Sequence, residues 1–266
     1  MRRSTWITNL VVAGSILLLL VLWELGARML DAQVILPSPG ATAVSFWSIV
    51  NSKPFSLNIW TTINRALQSF LIITASGMVL GILSGYSPIL HAFLKPLIVV
   101  FKATPVMSVI LLAFIWFSSG TVPLFSAFLM GFPVMFIQVE RGVSQISPRL
   151  SEMTRMYGFS RWMRLTHLVI PSLMPSIITG AKASLSMVWK VVIAAEVLTV
   201  PRYGIGSRMQ LSQVNLETSS VLAWTMLAVL LTALGDASFE LILRFPSWYI
   251  KLRHRKLYGP REGERI

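Results

Sequence analysis

The stretch ATPVMSVILLAFIWFSSGTVPLFSAFLMGFPVMFIQV, residues 103–139, contains no charged residue. A helix needs about 20 apolar residues to cross the hydrocarbon core of a bilayer, so this stretch is too long for one span and suits two. Turn-forming residues cluster in SSGTVP, residues 118–123, and mark the break between them. We therefore predict one helix at 94–117, kinked near Pro105, and a second at 122–139.

The composition of the whole chain agrees with a membrane protein. Of its 266 residues, 55% are hydrophobic and 12% are charged, whereas soluble domains carry about 25% charged residues. That leaves too little polar surface to cover a fold in water. The absence of cysteine excludes disulfides and thiolate metal sites. The predicted fold class is an all-α polytopic membrane protein.

Four further apolar stretches complete a prediction of six transmembrane helices. Residues 1–30 hold a first helix, at 6–25, which lacks a clear cleavage site and is expected to be retained. The others are predicted at 65–86, at 175–198 and at 219–243, the last ending before Pro246. The core of five helices then covers 65–245, after a polar, proline-containing segment at 31–64.

The helix at 65–86 carries a double GxxxG pattern formed by Gly77, Gly81 and Gly85. Glycine at this spacing makes a flat stripe that another helix backbone can approach closely. Incidental glycine is also common in membrane helices. We predict that the stripe is a helix-packing surface.

The lysines and arginines predict the orientation. With both termini in the cytoplasm, 17 of the 23 Lys and Arg residues lie inside and five lie outside. The positive-inside rule favours this arrangement, which makes 31–64 a periplasmic segment and 246–266 a basic cytoplasmic tail. We therefore attribute the net charge of +13 to the orientation of the chain in the membrane and not to nucleic-acid binding. The expected location is a bacterial inner membrane.

The segment ERGVSQISPRLSEMTRMYGFSRWMRLTHLVIPSLMP, residues 140–175, is too polar in its first half to span. We predict a cytoplasmic hairpin of two short helices at 147–171, capped by Ser147 and Ser160 and separated by Gly158. Pro171 is expected to end the second helix near Ile170. The mixture of aromatic, Met and Arg residues suits a protein interface, but it also suits an amphipathic hairpin on the lipid headgroups.

The hairpin resembles the EAA loop of the permease subunits of ATP-binding-cassette (ABC) importers. Glu152, Met153 and Thr154 occupy the E-A-A positions, and Gly158 and Pro171 follow at the family's spacing. Three other segments resemble the nitrate, taurine and alkanesulfonate branch of that family: ILPSPGATAVSFW at 35–47, FKATPVMSVILLAFIWFSSG at 101–120 and WKVVIAAEVLTVPRYGIGSRM at 189–209.

This resemblance implies the type I importer fold and a set of partners. Two permease copies, expected as a homodimer, would meet in the membrane, two copies of a separate ATPase would bind ATP and Mg, and a periplasmic or lipid-anchored protein would deliver the solute. The ATPase-coupling residues would be Glu152, Met153, Thr154, Arg155, Gly158, Arg161 and Pro171. The solute would be a small anion or organic acid such as a sulfonate, nitrate or taurine; the alternative is a vitamin precursor such as a thiamine-pyrimidine precursor.

The chain itself shows no pattern for catalysis. It has no phosphate-binding GxxxxGK[ST] loop, and its three histidines lie far apart with no cysteine to assist a metal. We expect no enzyme activity, no metal and no cofactor in this chain. A stand-alone secondary transporter and a non-transporting membrane scaffold are the remaining alternatives. The sequence shows no convincing internal repeat for the first, and six spans are few; the second leaves the hairpin spacing unexplained.

Two ionisable residues within the fifth predicted helix are candidates for the translocation pathway, since buried charges in membranes usually serve a function. Lys190 and Glu196 are six residues apart and so do not pair with each other. Lys190 is expected to contact the solute or to pair with another helix. For Glu196, the alternative to a role in the pathway is a structural role. Asp236 and Glu240, in the sixth helix, are expected opposite nearby arginines.

Overall fold

A computed structural model describes residues 2–258 of the chain, and the side chains of residues 9–243. Helices and loops make up this part, and it contains no strand. The first helices are α1 (Arg2–Leu30), α2 (Pro39–Val50), α3 (Phe55–Tyr86), α4 (Pro88–Ala103), α5 (Val106–Trp116) and α6 (Val122–Ser144). They are followed by α7 (Pro148–Met156), α8 (Arg161–Arg164), a π-helical turn (Leu165–Val169), α9 (Ile170–Thr199), α10 (Ile205–Val214) and α11 (Thr218–Tyr258).

Helix α6 lies at the centre of the bundle and packs mainly against α3 and α9. Met135 and Val139 of α6, Ile73 of α3 and Val188 of α9 have no exposed surface and belong to one apolar cluster. By contrast, only 6% of the most apolar window of α1, and 6% of that of α11, is buried. These two helices leave most of their apolar surface for lipid or for another protein chain.

The glycine stripe of α3 faces α6. A Cβ atom on Gly77 would come within 2.7 Å of the Met135 side chain, and one on Gly85 within 2.6 Å of Val143. At Gly81 the nearest atom would be the backbone oxygen of Phe136, at 2.9 Å. Because these distances leave no room for a larger side chain, the close contact of α3 and α6 depends on glycine at all three positions.

Five helices are long and apolar enough to cross a membrane, and the pair α4–α5 makes a sixth span if its two parts are taken together. The predicted kink near Pro105 is a bend of 103°. His91 of α4 contacts Glu140 near the end of α6, whereas Gly120, after α5, contacts Arg65 near the other end of the bundle. The pair therefore runs from one end of the bundle to the other as a broken span.

Several helices are longer than the sequence predicts. Helix α3 begins at Phe55, ten residues before the predicted start, because its first three turns carry polar side chains that face the protein interior. Helix α11 continues past Pro246 to Tyr258, since a proline disfavours but does not forbid a continuing helix. For the predicted basic tail 246–266, only the backbone up to Tyr258 lies within the described residues.

The predicted hairpin segment contains two short helices, α7 and α8, but the second does not end at Ile170. It continues through the π-helical turn into α9, so that the prediction of a stop at Pro171 is wrong. Pro171 directly follows the π-helical turn, in the first turn of α9, so its missing N–H removes one backbone hydrogen bond from the continuous helix without ending it. The segment from Arg161 to Thr199 has 39 residues and is about 58 Å long.

Two helices were not predicted at all. Helix α2 begins at Pro39 and is capped by Ser38, whose hydroxyl accepts a hydrogen bond from the backbone N–H of Ala41. Helix α10 follows Gly204 directly. Both lie in stretches that interrupt the apolar runs, and both pack against α11.

Candidate functional site

The segment between α6 and α9 presents a large exposed surface at one end of the bundle, which we call the hairpin end. Within the part of the chain that the structure describes, helix α7 packs against no other helix over an extended surface. Met156 is 88% exposed, Tyr157 76% and Trp162 71%. Since monomeric proteins rarely expose large apolar side chains in a contiguous group, this surface is typical of a site that binds another molecule.

Most of the predicted coupling residues belong to this surface. Those exposed to solvent are Glu152, Met153, Arg155, Gly158 and Arg161, together with Pro171 at the start of α9. Thr154 is the exception, because it is buried and its hydroxyl donates a hydrogen bond to the backbone oxygen of Ser151, 2.8 Å away. The side chain of Thr154 therefore supports α7 from inside.

The turn between α7 and α8 depends on one glycine. Gly158 has φ of +67°, and no atom lies within 4 Å of the position that a Cβ would take. Ser160 then accepts a hydrogen bond from the backbone N–H of Met163 and caps α8. Ser147 occupies the capping position of α7, but its side chain makes no capping hydrogen bond. The backbone conformation at Gly158 thus determines how α8 follows α7.

At the opposite end of the bundle, Glu196 is completely buried. Its carboxylate accepts a hydrogen bond from Arg65 Nη1 at 2.7 Å, from the Thr62 hydroxyl at 2.9 Å and from the backbone N–H of Gly206 at 3.1 Å. Gly206 lies in the first turn of α10, where free amides and the helix dipole favour an anion. We call Asn58, Thr62, Arg65, Glu196, Gly204 and Gly206 the Glu196 cluster.

The cluster links four segments of the chain. Arg65 Nη1 donates to the backbone oxygen of Tyr203 at 2.8 Å, and Arg65 Nε donates to that of Gly120 at 3.2 Å. The Asn58 amide oxygen accepts from the backbone N–H of Gly204 at 3.1 Å. Helix α3, the loop before α6, the end of α9 and the start of α10 are therefore held together by buried polar contacts. With its carboxylate fully engaged by this chain, Glu196 acts as a structural anchor in this conformation.

The sequence analysis missed the partners of Glu196, although α3 contains a signal for them. Asn58, Thr62, Arg65 and Ser69 recur at intervals of four, three and four residues, so they share one face of the helix. Polar residues on one face of an otherwise apolar membrane helix usually face the protein interior. The same face continues into the glycine stripe, so that one side of α3 is polar at one end and close-packed at the other.

Lys190 lies apart from this cluster. Its side chain is exposed, and its charge acts on Asp236 of α11. On the same side, Lys182 Nζ lies 3.7 Å from Glu240 Oε1. Among the described side chains, the acidic residues of α11 thus face lysines of α9. Because Lys190 is accessible, a contact with a transported solute remains a prediction.

The side chains that the structure describes contain no group of three or more His, Asp or Glu residues placed to hold a metal ion. The Glu196 cluster and the hairpin surface offer hydrogen bonding, charge and apolar contact. These are the properties of a scaffold and of a binding surface.

Comparison with known proteins identifies the family. Residues 77–245 match the model of the binding-protein-dependent transport system inner membrane component. A Bacillus subtilis permease named for aliphatic sulfonates transport is 24% identical over 91% of this chain and 87% of its own length. A Methanocaldococcus jannaschii protein named as an ABC transporter permease is 30% identical over 71% of this chain and 73% of its own. The taurine transport system permease of Escherichia coli is 24% identical over 85% and 84%.

The family model covers more than half of the chain and includes α6, the hairpin and α9, which build the centre of the bundle and its exposed end. The fold agrees, since the described residues form an all-helical bundle with five candidate spans and a sixth that is broken. The chain therefore belongs to the binding-protein-dependent transport system inner membrane components, the permease subunits of ABC importers.

Proposed function

We propose that this permease forms the membrane pathway for a sulfonate- or taurine-like anion, which a separate binding protein delivers and a separate ATPase drives across the membrane. The proposal that an ATPase binds this permease rests on the hairpin. It combines exposed aromatic, Met and Arg side chains, the residue types that are enriched where proteins bind each other. No equivalent use for this surface is evident within the described part of the chain.

The length of the helix that begins at α8 supports a protruding hairpin. The 39 residues from Arg161 to Thr199 extend about 58 Å, roughly twice the thickness of the hydrocarbon core. Even a tilted helix of this length must leave the membrane. The Glu196 cluster holds its far end inside the bundle, so that the excess falls at the hairpin end, where Arg161 and Arg164 lie. Both the termini and the hairpin are then cytoplasmic, as the positive-inside rule favours.

A second permease copy is part of the proposal. In the most apolar windows of α1 and α11 only 6% of the residues are buried, and a permease pathway needs walls on every side. A homodimer would cover part of this surface and leave the rest to lipid. Two ATPase copies would then contact two hairpins, and both ATP and Mg would be bound by those partners.

The solute class rests on the relatives. One is named for aliphatic sulfonates and another for taurine, and each of these names denotes a small molecule that carries an anionic sulfonate group. Lys190, exposed on α9, is the residue that we propose to contact such an anion along the pathway. A vitamin precursor has no comparable support among these relatives.

Association with the ATPase tests the coupling proposal. We expect Glu152→Lys and Trp162→Ala to reduce recovery of the ATPase with the tagged permease from native membranes by about tenfold or more, since exposed aromatic anchors often dominate interfaces. Glu24→Lys, a charge reversal at a half-buried position of α1 away from the hairpin, is the control and should leave recovery unchanged. Normal recovery with both hairpin variants would contradict the assignment of the hairpin.

Uptake of labelled solutes tests the solute class separately. Deletion of the gene for this permease from its source organism should abolish ATP-dependent uptake of taurine, ethanesulfonate or both into membrane vesicles. Re-expression of the permease should restore this uptake. A contrary outcome is that uptake of every sulfonate is the same with and without the permease, while the ATPase still co-purifies with the permease from cells that contain it. In that case the solute class would be wrong and the coupling role would stand.

A further inference from the structure

A cleft at the hairpin end lies between α3, α4 and α6 and has a volume of about 630 Å³. Three cations line it: Lys95 and Lys102 of α4 and Arg141 of α6. Glu140 is the one carboxylate among its lining residues. The cleft is therefore positively charged.

The single carboxylate of Glu140 offsets at most one of the three positive charges, and other partners hold it in place. Its carboxylate accepts a hydrogen bond from the hydroxyl of Ser84 and contacts His91 Nδ1 at 2.9 Å. The side chains of Lys95, Lys102 and Arg141 form no ion pair or hydrogen bond within the described residues. A group of like charges without partners raises the affinity of a site for an anion.

The arrangement of α4 places its cations on one side. His91, Lys95 and Lys102 are separated by four and seven residues and so form one stripe along the helix. On the opposite side, Ile89 is 84% exposed, Phe93 74% and Val100 58%. Helix α4 thus presents an apolar surface outward and a cationic surface to the cleft, which is the pattern of a helix at a membrane surface.

The bend after α4 is consistent with a position of α4 at the membrane surface. Helix α5 has 11 residues and is about 16 Å long, which is too short to cross the bilayer. Because α4 and α5 meet at 103°, they cannot both follow the membrane normal. The cationic stripe of α4 lines the cleft at the hairpin end, so the headgroups of the leaflet on that side are the lipid phosphates nearest to it.

We propose that this cleft binds the phosphate headgroup of an acidic phospholipid. Basic pockets between transmembrane helices on the cytoplasmic side are suited to such headgroups. The wall of the cleft also includes Ile98, Val99, Phe136 and Ile137, which offer apolar contact to the acyl chains of the same molecule. A free sulfonate or phosphate shares the anionic chemistry, but no residue of α9 lines the cleft, so it lies apart from the proposed solute pathway.

The bound headgroup would hold α4 against α6 and thereby fix the broken span. Lys95 and Lys102 lie on α4 and Arg141 lies on α6, so that a single phosphate between them replaces repulsion between the two helices with attraction to a shared anion. The site is then a lipid-dependent support for the α4–α5 pair.

Lipid binding by the full-length permease tests this site. Phosphatidylglycerol is titrated into the purified protein in neutral detergent, with phosphatidylcholine as the uncharged reference, and bound lipid is counted by native mass spectrometry. In the triple variant Lys95→Gln, Lys102→Gln, Arg141→Gln we expect phosphatidylglycerol affinity to fall about tenfold or more. Phosphatidylcholine binding should not change.

The matched control removes three exposed cations at the same end but outside the cleft, by Arg149→Gln, Arg155→Gln and Arg161→Gln. It should change the affinity by less than about twofold. A charge-preserving variant, Lys95→Arg with Lys102→Arg, should bind as the unmodified protein does, which separates a loss of charge from misfolding. Undiminished phosphatidylglycerol binding by the cleft variant would overturn the proposal. Hexanesulfonate or inorganic phosphate that displaces the lipid and requires the same cations would overturn the lipid as ligand and assign the cleft to a free anion.

Discussion

Charged side chains are buried and paired at one end of the bundle and exposed at the other. In the Glu196 cluster a buried carboxylate and a nearly buried guanidinium have all their partners within the chain, and the side chains of Arg65 and Glu196 are 11% and 0% exposed. At the hairpin end, arginines and aromatic side chains face outward and have no ion pair among the described side chains. Charged groups at one end are thus used for contacts inside the protein, whereas those at the hairpin end remain accessible to other molecules.

Removal of the buried anion should have the largest effect on stability. Glu196→Ala leaves Arg65 desolvated and unpaired, and we expect a loss of about 3–5 kcal/mol in the free energy of unfolding. The midpoint temperature of unfolding in detergent measures it. Glu24→Ala, which breaks the exposed Arg28–Glu24 pair, is the control and should cost less than about 1 kcal/mol.

The double variant Arg65→Met, Glu196→Leu sharpens this comparison. Removing both charges avoids the unpaired cation, so that stability should recover in part relative to Glu196→Ala. If Glu196→Ala were no less stable than Glu24→Ala, the cluster would not be an internal anchor.

The next effect concerns the helix contact that lies between the two ends. Gly81→Val should cost about 1–3 kcal/mol, because a Cβ at this position would come within 2.9 Å of the backbone of α6. Gly14→Val on α1, where no atom lies within 4 Å, is the control for the change of residue type. Equal unfolding temperatures for the two variants would show that α3 and α6 do not pack closely through the glycine stripe.

A smaller effect is expected in the hairpin turn. Gly158→Ala places a Cβ on a residue with φ of +67° and should cost about 1–2 kcal/mol locally. Because the hairpin packs little against the bundle, hydrogen exchange should rise in residues 148–164 and stay unchanged in the second half of α9. Gly158→Asn should have a milder effect, since asparagine tolerates this conformation better. Exchange that rises throughout α9 would contradict the separation of hairpin and bundle.

The smallest effect should follow from Lys182→Gln. The Lys182 and Glu240 side chains are about half exposed and their charged atoms are 3.7 Å apart, so that the pair contributes less than about 1 kcal/mol. Thermal unfolding should barely change. A loss as large as that of Gly81→Val would indicate that α11 depends on its charged residues more than its exposure suggests.

The sequence predicts the features that depend on local pattern. The uncharged residues 103–139 predict two spans because hydrocarbon excludes charge, and that stretch contains α5 and α6 up to Val139, after which α6 continues to Ser144. The glycine spacing at 77, 81 and 85 predicts a flat surface because the three positions share one face of a helix. The position of the turn at Gly158 follows in the same way from its preference for positive φ.

Features that depend on distant contacts could not be predicted in the same way. Arg65 and Glu196 are 131 residues apart, and nothing in the local pattern of either one identifies the other. Likewise, the continuation of α8 into α9 depends on a π-helical turn at Leu165–Val169, and the 103° angle at Pro105 depends on how α4 and α5 each pack against α6. Local sequence indicates that a proline alters a helix; the surrounding helices determine by how much.

The accessibility of the hairpin tests the central claim most directly, and the absence of cysteine from the chain makes the measurement clean. Met156→Cys, at a position that is 88% exposed, is treated with a membrane-impermeant maleimide in inside-out and right-side-out vesicles. Lys53→Cys, at the opposite end, serves as the reference. We predict that Met156→Cys reacts only in inside-out vesicles and is protected when the ATPase is bound, whereas Lys53→Cys reacts only in right-side-out vesicles. A hairpin cysteine that is unreactive in vesicles stripped of the ATPase, or equally reactive with and without it, would contradict the account.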